Sequence, residues 1–323
     1  MDPERESRDD AVLTLLRSIR SAGYSFSTVT PLTNARVNAR PANARAKDLA
    51  GVFGWSRPFE REVLAPELFE ALQSAQELEA SGDAWRSRIR VSTLSSKCFV
   101  HSAHPTLAPD AVFFGPDTVR FVRAIEQYLR AARPTIRRAV DIGCGAGPGA
   151  ITVACYAPKA EVLMTDINPR ALRFATLNAE FNGVSNAVAV ESDILRDVEG
   201  EFDFIVANPP YLIDGSARAY RHGGGALGEG ISIEILEQSL ERLSKSGVLL
   251  LYTGVAIVDG RDLFREACAK RLPPEKYVWS YEEVDPDVFG EELMSAPYTA
   301  ADRIAAVALT TSRTGKSVAS ARA

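Results

Sequence analysis

Two spacings of hydrophobic residues divide the chain. In the first part, up to about residue 87, apolar positions recur every three or four residues. Val12, Leu13, Leu16 and Ile19 follow Asp10, a helix-capping residue type, and stop before Gly23, so an amphipathic helix is expected there. Residues 48–53 (DLAGVF) and 66–79 (PELFEALQSAQELE) read as further short helices, and Ser81, Gly82 and Asp83 as a turn. The runs RIRVSTL and KCFVHSA alternate with period two, as hairpin strands do. Helices followed by a hairpin are compatible with a small winged-helix-like domain.

From Arg138 the pattern changes. Short apolar runs (AVDIG, EVLMTD, AVAVES, FDFIVAN, VLLLYTG) alternate with longer amphipathic segments, which is how a doubly wound parallel sheet is written. Asn168 and Pro169 open one intervening helix as N-cap and first-turn proline, and Gly183 closes it. Two later extended runs, YVWSYEEV and RIAAVALTT, bring the expected strands to seven, one more than a dinucleotide-binding sheet usually has. The expectation is an α/β fold: a doubly wound, seven-stranded, mostly parallel sheet behind a smaller N-terminal helical domain. The divisions read as a tail (1–9), the helical domain (10–87), a hairpin and linking helix (88–137), the main α/β domain (138–310) and a second tail (311–323).

Composition adjusts this picture only at a few points. With 46% hydrophobic and 24% charged residues, the 323-residue chain can bury a sizeable core, which excludes wholesale disorder. A net charge of −5 gives no overall attraction to nucleic acid or anionic membranes and leaves only local basic patches to provide one. Residues 34–47 carry Arg36, Arg40, Arg45 and Lys47 without an acid, either a solvated face or a phosphate contact. The apolar run VLLLY is far short of the roughly 20 residues of a membrane span, and the start MDPERESRDD lacks a signal-peptide core. A cytoplasmic protein without membrane contact is expected. Cys98, Cys144, Cys155 and Cys268 form no CxxC pair, so reduced thiols and no metal site are expected.

The chemistry concentrates at strand ends. DIGCGAGPGA puts Asp141 and Gly143 at the end of a strand, Gly145 and Gly147 in a tight turn, and Pro148 in a helix's first turn, where free N–H groups favour a carboxylate or phosphate. Asp166 ends the next strand, placed to accept hydrogen bonds from a ribose, with Ile167 beside it. Gly145, Gly147 and Ala150 also satisfy a variant of the nicotinamide fingerprint, so the loop alone leaves the nucleoside open. Asp193, after the third strand and followed by Ile194, adds a carboxylate that can accept from an adenine amino group or close an Asx turn.

Asn208, Pro209, Pro210 and Tyr211 follow the buried run FDFIVA. The Asn208 side-chain oxygen and the Pro209 carbonyl are two acceptors for the two protons of an –NH2 group. Prolines fix the turn without adding an N–H, and Tyr211 has a ring to lay on a planar amide or base. Of the histidines, only His222 lies near this loop, read as solvated; His101 and His104 are remote. Glu291 and Glu292, beside Phe289 and Tyr298, either line an acceptor cleft or cap the sheet.

DIGCGAG, TDINPRAL, SDIL and ANPPY together resemble the class I methyltransferases, closest to the release-factor glutamine methyltransferases and related small-domain methyltransferases, over about residues 88–310. The resemblance implies a Rossmann-like fold and S-adenosylmethionine as cofactor. By it, Asp141, Gly143, Gly145 and Asp166 hold the cofactor's methionine and ribose ends, Asp193 and Ile194 its adenine, and Asn208 to Tyr211 the acceptor nitrogen, with Gly147, Ile167 and Asn208 also counted among the cofactor-binding residues. VFFGPDT is similar to a segment in which that family carries R-P-E-T or R-P-D-T, but Gly115 stands in place of the arginine. RHGGGALGEG partly resembles the family's glycine-rich loop. The implied activity is N-methylation of a planar amide or amino nitrogen, a protein glutamine first. Alternatives are adenine N6-methylation of RNA or DNA, a small-molecule or sulfonium-cleaving reaction, and, from another class, a nicotinamide oxidoreductase or nucleoside sensor.

Overall fold

The computed structural model describes residues 3–214 and 220–315. Helix α1 (Pro3–Ser21) buries Val12, Leu13, Leu15, Leu16 and Ile19 as its period requires. It begins at Pro3, so residues 3–9 are helix and not tail: Glu4 and Glu6 suit the positive end of its first turn, and Asp9 accepts from Arg173 Nε at 2.6 Å. Helix α2 (Pro31–Asn38) starts at the capping Thr30 hydroxyl, and α3 (Leu49–Phe53) at the Asp48 carboxylate. Within the basic stretch, Arg36, Arg40 and Lys47 are exposed, whereas Arg45 Nη2 donates to both Asp83 oxygens at 2.6 and 2.7 Å.

Helix α4 (Pro66–Ser74) is shorter than its hydrophobic pattern suggests. Gln76 adopts a left-handed φ of 59°, and Leu78 already belongs to strand β1 (Leu78–Ser81), which turns at Gly82 and Asp83 into β2 (Ala84–Ser87). The expected pair follows as β3 (Ile89–Leu94) and β4 (Lys97–Ser102), so the helices lead into two hairpins where one was expected. Helix α5 (Pro116–Ala132) then packs Phe121, Ile125 and Leu129 against the main domain.

That domain runs β5 (Arg138–Ile142), α6 (Pro148–Tyr156), β6 (Glu161–Asp166), α7 (Pro169–Phe181), β7 (Ala187–Glu191), β8 (Phe202–Ala207), α8 (Gly230–Arg242), β9 (Leu243–Val258), β10 (Arg261–Asp262), α9 (Leu263–Arg271), β11 (Tyr277–Asp285) and β12 (Arg303–Arg313). The sheet order is β11-β12-β9-β8-β5-β6-β7. Pairs β5–β6, β6–β7, β5–β8 and β8–β9 are parallel, and β12 alone of this path runs opposite, between β9 and β11. All seven expected runs are strands; the two-residue β10, folded back on β9, is an eighth. β12 extends to Arg313, past the expected start of a tail, because it pairs along both sides, while residues 316–323 of that expected tail lie outside the described residues.

Side-chain alternation sorts the core into two layers. Ala139, Phe204, Val206, Leu250 and Tyr252 face α5–α7, while Val140, Ile142, Ile205, Leu249 and Leu251 face α8 and α9. After β7 the chain returns to the far side of β5, so the carboxyl ends of β5 and β8 flank the switch in strand order where such sheets bind ligands. Among the described residues no helix is long and apolar enough to cross a membrane.

Candidate active site

A cleft opens at that switch. Its walls are the β5–α6 turn, the ends of β6 and β8, the loop after β7, and α8, which contributes Ile231 and Ile235. Gly143 and Gly145 line it at φ 65° and 55°, and a Cβ on either would project into open space. That empty rim is the close approach a bound nucleoside needs, and the residues around it fit one. Asp166 lies alongside: its Oδ2 accepts the Gly145 N–H at 3.0 Å and its Oδ1 the Asn168 N–H at 2.9 Å. Burial pushes its pKa up against these two bonds. Ile167, 56% exposed, offers an apolar face at the mouth, as a covering for a ring would.

Beyond β7, Ser192, Asp193 and Ile194 complete this wall. The Asp193 carboxylate is engaged by Arg196, which also reaches Glu234, so it meets a guanidinium before any ligand. Ile194 has a φ of 57°, a region that β-branched residues avoid. The Ser192 hydroxyl supports the bend by donating to the Ile194 carbonyl at 3.2 Å and accepting the Asp197 N–H at 3.1 Å. Strain of this kind collects where a loop is held for a ligand.

Two residues expected to hold the cofactor lie behind the cleft instead. Asp141 is 1% exposed, and its Oδ2 accepts the Ala150 N–H at 2.8 Å in the first turn of α6. It anchors the glycine turn from beneath, because β5 buries both its faces. Gly147 packs toward Ala175 of α7, where a Cβ would stand 3.1 Å from that residue's own. Burial pushes the Asp141 pKa up to about 7. The folded value thus exceeds the ordinary ~3.9, so stability from this group is full below about pH 4 and is lost as pH rises toward 7, by up to about 1.4 kcal/mol per pH unit. Asp141→Asn is expected to remove that slope from urea unfolding measured across this range without cofactor; an undiminished slope refutes the assignment.

On the opposite wall stand Asn208, Pro209 and Pro210. The Asn208 Oδ1 is buried and has no hydrogen-bond partner among the described residues. Tyr211 departs from expectation: it is not a lining residue, it is 7% exposed, and its ring meets Phe289 edge-on at 5.8 Å. Its hydroxyl donates to Asp117 Oδ2 at 2.7 Å, and Tyr252 donates to Asp117 Oδ1 at 3.0 Å. Arg120 joins Asp117 at 3.2 Å to Asp285 at 2.6 Å. Burial raises the Asp117 pKa despite these partners and raises that of Tyr211 well above the phenol range. Tyr211 is therefore the bolt that holds the turn.

The glycine-rich segment lies along this turn. Gly223 N–H donates to the Leu212 carbonyl at 2.8 Å, and Leu212 N–H to the Arg221 carbonyl at 3.1 Å. At Gly228, with a φ of 99°, a Cβ would stand 2.0 Å from the Tyr211 carbonyl oxygen. Gly228→Ala is expected to displace the turn and lower kcat/KM by up to about 100-fold with the circular dichroism unchanged; wild-type kinetics would show that the contact is dispensable. His222 is half-buried, and its Nδ1 accepts the Asp214 N–H at 3.2 Å, so it is a loop support and not a solvated side chain. Glu292 pairs with Arg221, and Tyr298 donates to the Leu227 carbonyl at 3.3 Å, so the segment after β11 braces the same loop.

Sequence reasoning missed the aromatic wall. Phe113 and Tyr220 both line the cleft, stacked with centroids 6.0 Å apart and planes 9° from parallel. Tyr220 is tied down by its hydroxyl to the Thr106 carbonyl at 2.8 Å. Gly115, where the resemblance leads one to expect arginine, uses its N–H on the Thr118 hydroxyl at 3.2 Å, with the Phe113 ring against its α-carbon.

Residues 123–256 match the family model described as "Methyltransferase small domain". The matched segment holds β5 to β8, most of β9 and the glycine turn, and it is similar to a methyltransferase domain, an enzyme class whose methyl donor is S-adenosylmethionine, which favours that donor over a nicotinamide at the glycine turn. Among curated proteins, the chain is 42% identical over 90 residues to release factor glutamine methyltransferase of Xylella fastidiosa strain 9a5c, covering 27% of this chain and 33% of that one. It is 40% identical over 84 residues to ribosomal RNA small subunit methyltransferase C of Haemophilus influenzae strain PittGG, covering 26% and 25%. To ribosomal protein uL3 glutamine methyltransferase of Neisseria gonorrhoeae it is 32% identical over 149 residues, covering 43% and 48%. The chain spans about a third of the length of the first of these relatives.

Proposed function

We propose that this protein methylates a planar amide or amino nitrogen, with a protein glutamine side chain as the first acceptor to test. The observation that carries the reading is the buried Asn208 Oδ1 without a partner. A buried acceptor left unmet is unfavourable, and an incoming –NH2 group meets it while also reaching the Pro209 carbonyl. S-adenosylmethionine, when bound, supplies a methyl group already activated on a sulfonium. The chain's own work is then to align the nitrogen and to draw charge from it as the bond forms. Gly143, Gly145, Asp166, Ile167, Asp193 and Ile194 would hold the donor, and Asn208 with the proline turn the acceptor, which needs no strong base. Asp117 and Tyr211 keep that turn in place.

A second reading, methylation of an adenine amino group, is favoured by one observation: the Phe113–Tyr220 pair on the cleft wall is a stacking surface for a base. Both acceptor classes occur among the names of the relatives, glutamine in two and ribosomal RNA in the third. Methyl-labelled S-adenosylmethionine, incubated with the protein and extract from cells lacking it, separates them. Label in the protease-sensitive fraction supports the first reading and label in the nuclease-sensitive fraction the second. Methylthioadenosine formation without transfer would overturn both.

A further inference from the structure

We propose that the N-terminal domain carries a phosphate-binding site, built on the buried guanidinium of Arg90 and flanked by Arg57 and Arg86, with the rings of Phe26 and Trp55 beneath. Arg90 sits on β3 opposite His101 and is 5% exposed. Its Nε and Nη2 are buried with no hydrogen-bond partner among the described residues, and burial lowers its pKa. A guanidinium taken from water without a counter-charge is a costly thing for a fold to keep, and its planar fork matches phosphate oxygens.

The surroundings offer more positive charge, and Asp48, the carboxylate that acts on Arg57 and Tyr24, does not pair with Arg90. His101 is held neutral by burial and by Arg90, and His104 is pushed the same way by burial, Arg90 and Arg86. The Arg86 Nε is likewise buried without a hydrogen-bond partner among the described residues. Arg90 lies over the Phe26 ring at 5.5 Å, Phe26 meets Trp55 edge-on at 5.4 Å, and Arg57 lies over Trp55 at 5.3 Å. Cations alternating with aromatic rings are the composition of surfaces that take phosphate and stack bases. The site also leads toward the cleft. The His104 N–H donates to Ser56 Oγ at 3.0 Å, and Thr106, two residues on, holds the Tyr220 that lines the cleft.

The chemistry recognised is a phosphate group, on a polynucleotide or free. The test titrates the full chain, without cofactor and at low salt, with inorganic phosphate and with a single-stranded oligoribonucleotide, following tryptophan fluorescence, to which Trp55 reports locally. Saturable binding is expected, weakened about tenfold or more by Arg90→Met. A far tighter oligonucleotide assigns the polynucleotide source, and equal affinity per phosphate assigns free phosphate. Absence of saturable binding of either probe, or wild-type affinity in Arg90→Met, overturns the site. If Arg90→Met fails to fold, the pair Arg57→Met with Arg86→Met replaces it, and wild-type affinity there overturns the site equally. No methyl transfer is read, so failure of the assigned reaction and failure of this site are told apart.

Discussion

Asn208→Ala is expected to lower kcat/KM for methyl transfer by about 100- to 1,000-fold, the range seen when one preorganised polar contact to a reacting centre is lost. The side-chain oxygen stands on the cleft wall, buried and without a partner among the described residues, so an acceptor –NH2 that enters the cleft gains a hydrogen bond there. In the substitution that bond disappears, together with its hold on the nitrogen's orientation, and much of the loss falls on kcat. Binding of S-adenosylmethionine, measured by calorimetry, is expected to change far less, because the glycine turn and Asp166 remain. Full activity of Asn208→Ala on the true acceptor would refute the assignment of the acceptor-holding residue.

The largest stability effect is expected at Asp117. Its carboxylate, 4% exposed, receives Tyr211 and Tyr252 hydroxyls and the Arg120 guanidinium. Asp117→Ala strands all three, and removing one member of a buried charged pair typically costs about 3–5 kcal/mol. A fall in Tm of roughly 6 °C or more should follow in calorimetry. Tyr211→Phe removes one hydroxyl, leaves the carboxylate its other partners, and should cost about 1 kcal/mol. If the two variants were equally stable, the network would not be what seats the proline turn.

Most of the sheet was legible because its signals are local. Asn168 caps α7 with its side chain on the Arg170 N–H at 3.0 Å, Pro169 opens the helix, and the glycine foreseen as its end follows Phe181 closely. The β8 run, apolar at nearly every position, is buried throughout. What escaped depends on partners distant along the chain. Nothing around Tyr211 announces an aspartate 94 positions earlier, so its ring was assigned to the substrate when its hydroxyl belongs to Asp117. Asp141 was read as a ligand for the same reason: its motif marks the turn, whereas its direction comes from β5 being covered on both faces. The aromatic wall was missed since Phe113 and Tyr220 lie in different loops. The early start of α1 rests on Asp9 meeting Arg173, again a tertiary contact overriding a polar composition.

The reversed strand β12 also dictates an order of assembly. It is the last strand among the described residues yet lies inside the sheet, with β9 on one side and β11 on the other. While the ribosome is still making residues before 303, both neighbours present unpaired backbone edges, and β9 is among the most apolar strands of the protein. The nascent chain therefore leaves the β9 edge open, one strand in from the sheet's border, until β12 is delivered, and an interruption of synthesis just short of that point leaves an aggregation-prone template.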